Sequence, residues 1–106
     1  MNMRGVDFTG PCGADALPGS PGIYLVCTES SGGIRVLGVY ESDDIRSHVS
    51  SNPRAGEWGS YEDGNGIFFY GSGPITDRDA RASKVRDIID TRPYAVPCVD
   101  RIEDDW

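Results

Sequence analysis

Residues 21–48 constrain the fold more than any other part of the chain. They read Pro-Gly-Ile-Tyr-Leu-Val-Cys-Thr, a Glu-Ser-Ser-Gly-Gly turn, Ile-Arg-Val-Leu-Gly-Val-Tyr, and Glu-Ser-Asp-Asp-Ile-Arg-Ser-His. Ile23 to Thr28 is apolar at both parities, the pattern of a strand covered on both faces. Glu29 to Gly33 supplies the positive-φ positions of a hairpin turn. Ile34 to Tyr40 is the partner strand, with Ile34, Val36, Gly38 and Tyr40 expected on one face and Arg35, Leu37 and Val39 on the other. Ser42 suits a helix N-cap, and Asp43 and Asp44 place carboxylates at the positive end of the dipole. Ile45 and Val49 lie four apart on one helical face, so a short helix is expected over 42–50, ending before Asn52-Pro53.

The remaining chain must cover that unit. Residues 1–20 hold Gly10-Pro11, Gly13 and Pro18-Gly19, a density that punctuates rather than builds. They read as a leader loop packing through Phe8 and Leu17, with Val6-Asp7-Phe8 as a short edge-strand candidate. Residues 51–65 form a polar loop carrying Trp58 and Tyr61. A strand is expected over 66–70, around Ile67-Phe68-Phe69-Tyr70. Thr76 caps a second helix over 76–91, whose Ala82, Val85, Ile88 and Ile89 make a buried stripe. Arg92-Pro93 ends it, an extended exit runs from Tyr94, and residues 100–106 are an acidic tail.

These elements specify a small α/β (in stricter terms α+β) domain spanning residues 1–106. Its sheet is three-stranded and mostly antiparallel, flanked by two or more helices. Its core should hold Ile23, Leu25, Val36, Ile45, Val49, Phe68, Val85, Ile88 and Ile89.

Composition narrows the function classes. No apolar run approaches the roughly 18–20 residues that span a bilayer, and the N-terminus lacks a secretory h-region. A cytoplasmic protein without membrane contact is expected. Cys12, Cys27 and Cys98 are odd in number and show no C-x-x-C spacing, which argues against a disulfide framework or a zinc site. Net charge is -7. That balance disfavours nucleic acid as a partner, because attraction to a polyanion would rest on a local basic strip within a screening length of about 8 Å. Arg78, Arg81, Lys84, Arg86 and Arg92 sit on or beside the second helix, interspersed with Asp77, Asp79, Asp87 and Asp90, the pattern of a solvated, ion-paired face.

His48 is the only histidine. With Tyr24 and Tyr40 it could line a shallow cleft as a catalytic group, or all three could be structural residues of a half-wet core. Glu41, Arg46, Trp58 and Tyr61 are candidate binding residues, the two aromatics being the side-chain type that anchors protein interfaces. No phosphate loop, H-E-x-x-H or G-x-S-x-G elbow is present.

The order strand, hairpin, strand, helix, loop, strand, helix resembles the GIY-YIG nuclease domain over about residues 17–99. The likeness rests on Leu17-Pro18-Gly19-Ser20-Pro21-Gly22-Ile23-Tyr24, on Glu41-Ser42-Asp43-Asp44-Ile45-Arg46, on Arg81 through Ile88-Ile89, and on Val96-Pro97-Cys98. Carried across, the family's first tyrosine falls on Tyr24 and is kept. The second motif's Tyr-Ile-Gly falls on Gly38-Val39-Tyr40, so its tyrosine is replaced by Gly38. The phosphate-supporting arginine falls on His48, the metal-binding glutamate on Val85 and the final asparagine on Val99.

Valine offers no oxygen ligand for the divalent cation that this chemistry needs. Asp87 lies about 200° further round the helix, and a one-residue shift brings only Arg86 or Lys84. The resemblance therefore implies a degenerate relative, a binding module without a metal site or cofactor, and the charge and the aromatic candidates favour a protein partner over nucleic acid. The alternative is a divergent endonuclease using Tyr24, Tyr40, Glu41 and His48 in new roles, with Mg²⁺ or Mn²⁺.

Overall fold

The computed structural model describes residues 1–30, 32–61, 66–91 and 97. Its strands are β1 (Asn2–Met3), β2 (Val6–Cys12), β3 (Gly22–Ser30), β4 (Gly33–Ser42) and β5 (Phe68–Ser72). The helices are α1 (Ile45–Ser51), α2 (Ala55–Trp58) and α3 (Arg78–Asp90), with single 3-10 turns at Ala14–Ala16 and Gly59–Tyr61. The sheet is antiparallel, in the order β1-β2-β5-β3-β4.

It has five strands rather than three. The expected leader loop instead adds a hairpin whose turn, Arg4-Gly5, has positive φ at both residues, 52° and 85°, as a two-residue hairpin turn requires. Its longer strand, β2, pairs with β5. Gly10-Pro11 does not end β2 because it sits at an irregularity, between the pairs Thr9↔Gly71 and Cys12↔Phe69. Proline is tolerated at a bulge, where no ladder hydrogen bond is lost.

β3 lies between β4 and β5, and its two apolar parities feed two cores. Ile23, Leu25 and Cys27 join Val6, Phe8, Val36, Val39, Tyr70 and Ile88 on the α3 side. Tyr24 and Val26 join Leu17, Leu37, Tyr40, Ile45, Val49, Trp58 and Phe69 on the α1–α2 side. Six of the nine expected core residues are buried, and Phe68, Val85 and Ile89 pack partly buried against the α3-side core.

The expected alternation along β4 breaks at Leu37. Val26 pairs with Gly38 but Cys27 pairs with Val36, leaving Leu37 as the extra residue of a bulge. Past that point the faces exchange, so Val36 and Val39 share one core while Leu37 and Tyr40 share the other.

Both helices start later than expected. β4 runs through Ser42, so Asp44 becomes the N-cap of α1, accepting from the Ser47 N–H at 3.2 Å. Asp77, not Thr76, caps α3, accepting from Asp79 and Ala80. The buried stripe of α3 is also rotated: Ala82 is exposed, and Arg81 takes its place at 1% exposure.

No described helix is long and apolar enough to cross a membrane. The extended exit from Tyr94, the acidic tail, Cys98 and Val99 lie outside the described residues.

Candidate functional site

β3, β4 and α1 bring three of the candidate residues together. The Tyr24 hydroxyl stands 2.7 Å from His48 Nδ1. Ring centroids are 5.3 Å apart for Tyr24–Tyr40, 5.7 Å for Tyr24–His48 and 6.2 Å for Tyr40–His48. α2 adds Trp58, whose indole N–H donates to the Tyr40 hydroxyl at 3.2 Å and whose ring packs edge-on to Phe69.

This is a core layer rather than an open cleft. Tyr24 is 0% exposed, Tyr40 5% and Trp58 6%, and only His48 reaches half-burial. Trp58 therefore cannot serve as an exposed anchor. The expected loop at 51–65 turns into α2 and a 3-10 turn over the described part, which folds the indole under.

The sequence reading missed Asn52, the C-cap residue of α1, which is 6% exposed. Its Nδ2 donates to the Tyr24 hydroxyl at 2.8 Å, and its Oδ1 accepts from the Arg54 N–H at 2.8 Å. An asparagine before proline reads as a loop residue, and no periodicity marks a single buried amide.

The other candidates point elsewhere. Glu41 accepts from Arg81 Nε at 2.6 Å, at the α3 side of the sheet. Arg81 also donates to Asp43 Oδ1 and to the carbonyls of Ile75 and Thr76. The Glu41 hydrogen bond is the first cause holding this guanidinium above its usual pKa, against the opposing effect of burial. Arg81 is thus a buried clasp between α3 and the β4–α1 turn, not part of a solvated face.

Arg46 is exposed; its Nε donates to the Leu17 carbonyl at 2.9 Å, and the side chain borders an open groove of about 450 Å³ with Asp15, Asp44 and Ser47. Tyr61 is half-buried under Arg35, whose guanidinium lies 5.4 Å from its ring centroid. The Cys12 thiol is pushed up by burial and by the Asp15 carboxylate, so it stays protonated at neutral pH and is a poor nucleophile. Among the described residues, no group of three or more His, Cys, Asp or Glu side chains is placed to hold a metal ion.

Two positions carried across from the resemblance now acquire geometry. Val85 packs against the α3-side core, whereas Tyr24 belongs to the core on the other face of the sheet. Gly38 lies beneath the Tyr40 ring, and a Cβ there would meet ring atoms at 2.5–2.8 Å.

No family model, curated protein or solved structure matches the chain.

Gly38 offers a direct test of that packing. The Tyr40 ring cannot move aside easily, because it is buried and bonded to Trp58. Gly38→Ala should cost about 1–3 kcal/mol through overpacking, read as a lowered urea midpoint. A substitution without effect would mean that the ring does not lie over Gly38.

Proposed function

We propose that this chain is a binding domain on a GIY-YIG-like frame, without phosphodiester-hydrolysing chemistry and with a protein as its partner. One observation carries the reading: Tyr24 is 0% exposed and its hydroxyl is engaged by Asn52 and His48. A nucleophile or general base must lie within hydrogen-bond reach of the substrate, and a phenol inside the core does not. The position matched to the metal carboxylate, Val85, sits across the sheet from it.

The family likeness draws support from the element order β3, hairpin, β4, α1, β5, α3. It also draws support from the reversed second motif. Tyr40 extends its ring over Gly38, so an aromatic ring occupies the space above the position that has lost its tyrosine. The preference for protein over nucleic acid rests on charge. On α3 the exposed residues Arg78, Asp79, Arg86 and Asp90 mix both signs, and the whole chain carries -7. The exposed Ile34 near the β3–β4 turn and the groove beside Arg46 are the surfaces this reading assigns to the contact.

Titration against random-sequence duplex DNA and duplex RNA, at low and at physiological salt, tests the partner class. No micromolar binding is expected to either. Salt-sensitive micromolar binding weakened by Arg78→Ala or Arg86→Ala would contradict the reading.

The second reading, a divergent endonuclease using Mg²⁺ or Mn²⁺, draws on the 2.7 Å contact between the Tyr24 hydroxyl and His48 Nδ1. That contact has the form of a base-activated hydroxyl. The cleavage experiment that closes the Discussion separates the two.

A further inference from the structure

The first backbone N–H groups of α1 are already used. Ile45 donates to the Ser20 carbonyl at 3.1 Å, Arg46 to the Pro18 carbonyl at 3.2 Å and Ser47 to Asp44 Oδ1 at 3.2 Å. The groove of about 450 Å³ beside this helix end therefore draws no donor from the first turn, and Arg46 is the one cation among its lining residues. That guanidinium is pinned at one corner. Its Nε donates to the Leu17 carbonyl at 2.9 Å, and neither terminal nitrogen bonds another described residue. Asp15 and Asp44 line the same groove, yet neither forms an ion pair with Arg46. A guanidinium fixed through Nε presents its two terminal amino groups as a fork that matches a carboxylate.

We propose that this groove docks an internal, extended segment of the protein partner, with an acidic side chain on the Arg46 fork and a basic side chain beside Asp15 and Asp44. Such docking rests on the protein-binding reading above and gives its contact a chemistry.

Charge decides among the occupants. Two carboxylates line the groove against one guanidinium, and the whole chain carries -7. A phosphate dianion or a nucleic-acid backbone is repelled both locally and at long range. A segment bearing both signs is matched at each, and a segment with one sign leaves like charges facing each other. The groove is also open, whereas a small ligand needs a pocket that buries most of its surface. An internal segment passes through an open groove without a closed end to receive it.

A phage-displayed random dodecapeptide library, selected on the immobilised full chain, supplies the probe. The most enriched peptide is synthesised and titrated into the nitrogen-15-labelled chain by NMR. Enriched peptides should carry both an acidic and a basic residue, and shift changes should centre on Asp15, Asp44, Arg46 and Ser47. Replacing the acidic residue of the peptide by alanine should weaken binding about fivefold, the effect of one well-formed exposed ion pair. Arg46→Ala should do the same, and the two changes together should cost no more than either alone, because they remove one contact. Arg46→Glu should recover binding to a peptide with lysine in place of the acid. The peptide change leaves the protein untouched, so it decides the matter even if an Arg46 variant does not fold. No enriched peptide, enriched peptides without an acidic residue, or binding indifferent to Arg46 overturns the proposal. A peptide that binds at Ile34 instead overturns the groove and leaves the protein-binding reading standing. That reading falls by a separate route, the salt-sensitive nucleic-acid binding described above.

Discussion

Arg81→Ala is expected to destabilise the protein by about 3 kcal/mol, the upper end of the cost of leaving buried acceptors without their donor. Arg81 is 1% exposed and bridges Glu41, Asp43 and the carbonyls of Ile75 and Thr76. Alanine leaves a Glu41 carboxylate that is only 26% exposed, together with two carbonyls, without this donor. The loss is a large part of the roughly 5–15 kcal/mol that holds a domain folded. Arg81→Lys keeps the charge but not the planar fork, so it should restore only part of the stability. The contrast is with a solvated helix face, where such a change is worth within about 0.5 kcal/mol. Urea unfolding separates the two, and a shift of that smaller size would show that Arg81 is not buried.

Trp58→Ala carries the second large effect, about 3–5 kcal/mol for truncating a buried aromatic. Trp58 packs 5.8 Å from Phe69 and 6.2 Å from Tyr40, centroid to centroid, and its N–H donates to the Tyr40 hydroxyl. Trp58→Phe keeps an aromatic ring and gives up the N–H, so it should cost less than alanine. An exposed binding anchor behaves otherwise: its removal weakens a partner and leaves the urea midpoint almost unmoved. That outcome would place Trp58 on the surface.

These two residues also mark where the sequence could not be read. Ile23 to Thr28 announces a doubly covered strand because every position is apolar enough to bury, and β3 does feed both cores. Ile45, Val49 and Ile88 follow from helical spacing for the same reason. Arg81 stands four residues before Val85 and seven before Ile88, at a proper core spacing. Yet a charge at such a position reads as solvent-facing until Glu41 and Asp43, some 40 residues away, are known to meet it. β2 was legible only at its start, Val6-Asp7-Phe8; its run to Cys12 was hidden by Gly10-Pro11, which ends a strand unless a bulge receives it. The Leu37 bulge was hidden because register is set by pairing, and one extra residue exchanges the faces beyond it.

At the site, the meeting of Tyr24, Tyr40 and His48 was legible from strand–strand–helix order. Their burial was not, because it depends on α2 folding Trp58 over them and on Asn52 closing over the Tyr24 hydroxyl.

The central claim is that the buried cluster of Tyr24, His48 and Asn52 supports the fold of a binding domain rather than cleaving phosphodiesters. Incubating the protein with plasmid DNA, single-stranded DNA and structured RNA, in Mg²⁺ and in Mn²⁺, tests it most directly. The account predicts no cleavage above a protein-free control under any of these conditions. Cleavage that is present in wild type and lost in Tyr24→Phe would contradict it and would make the divergent endonuclease the correct reading.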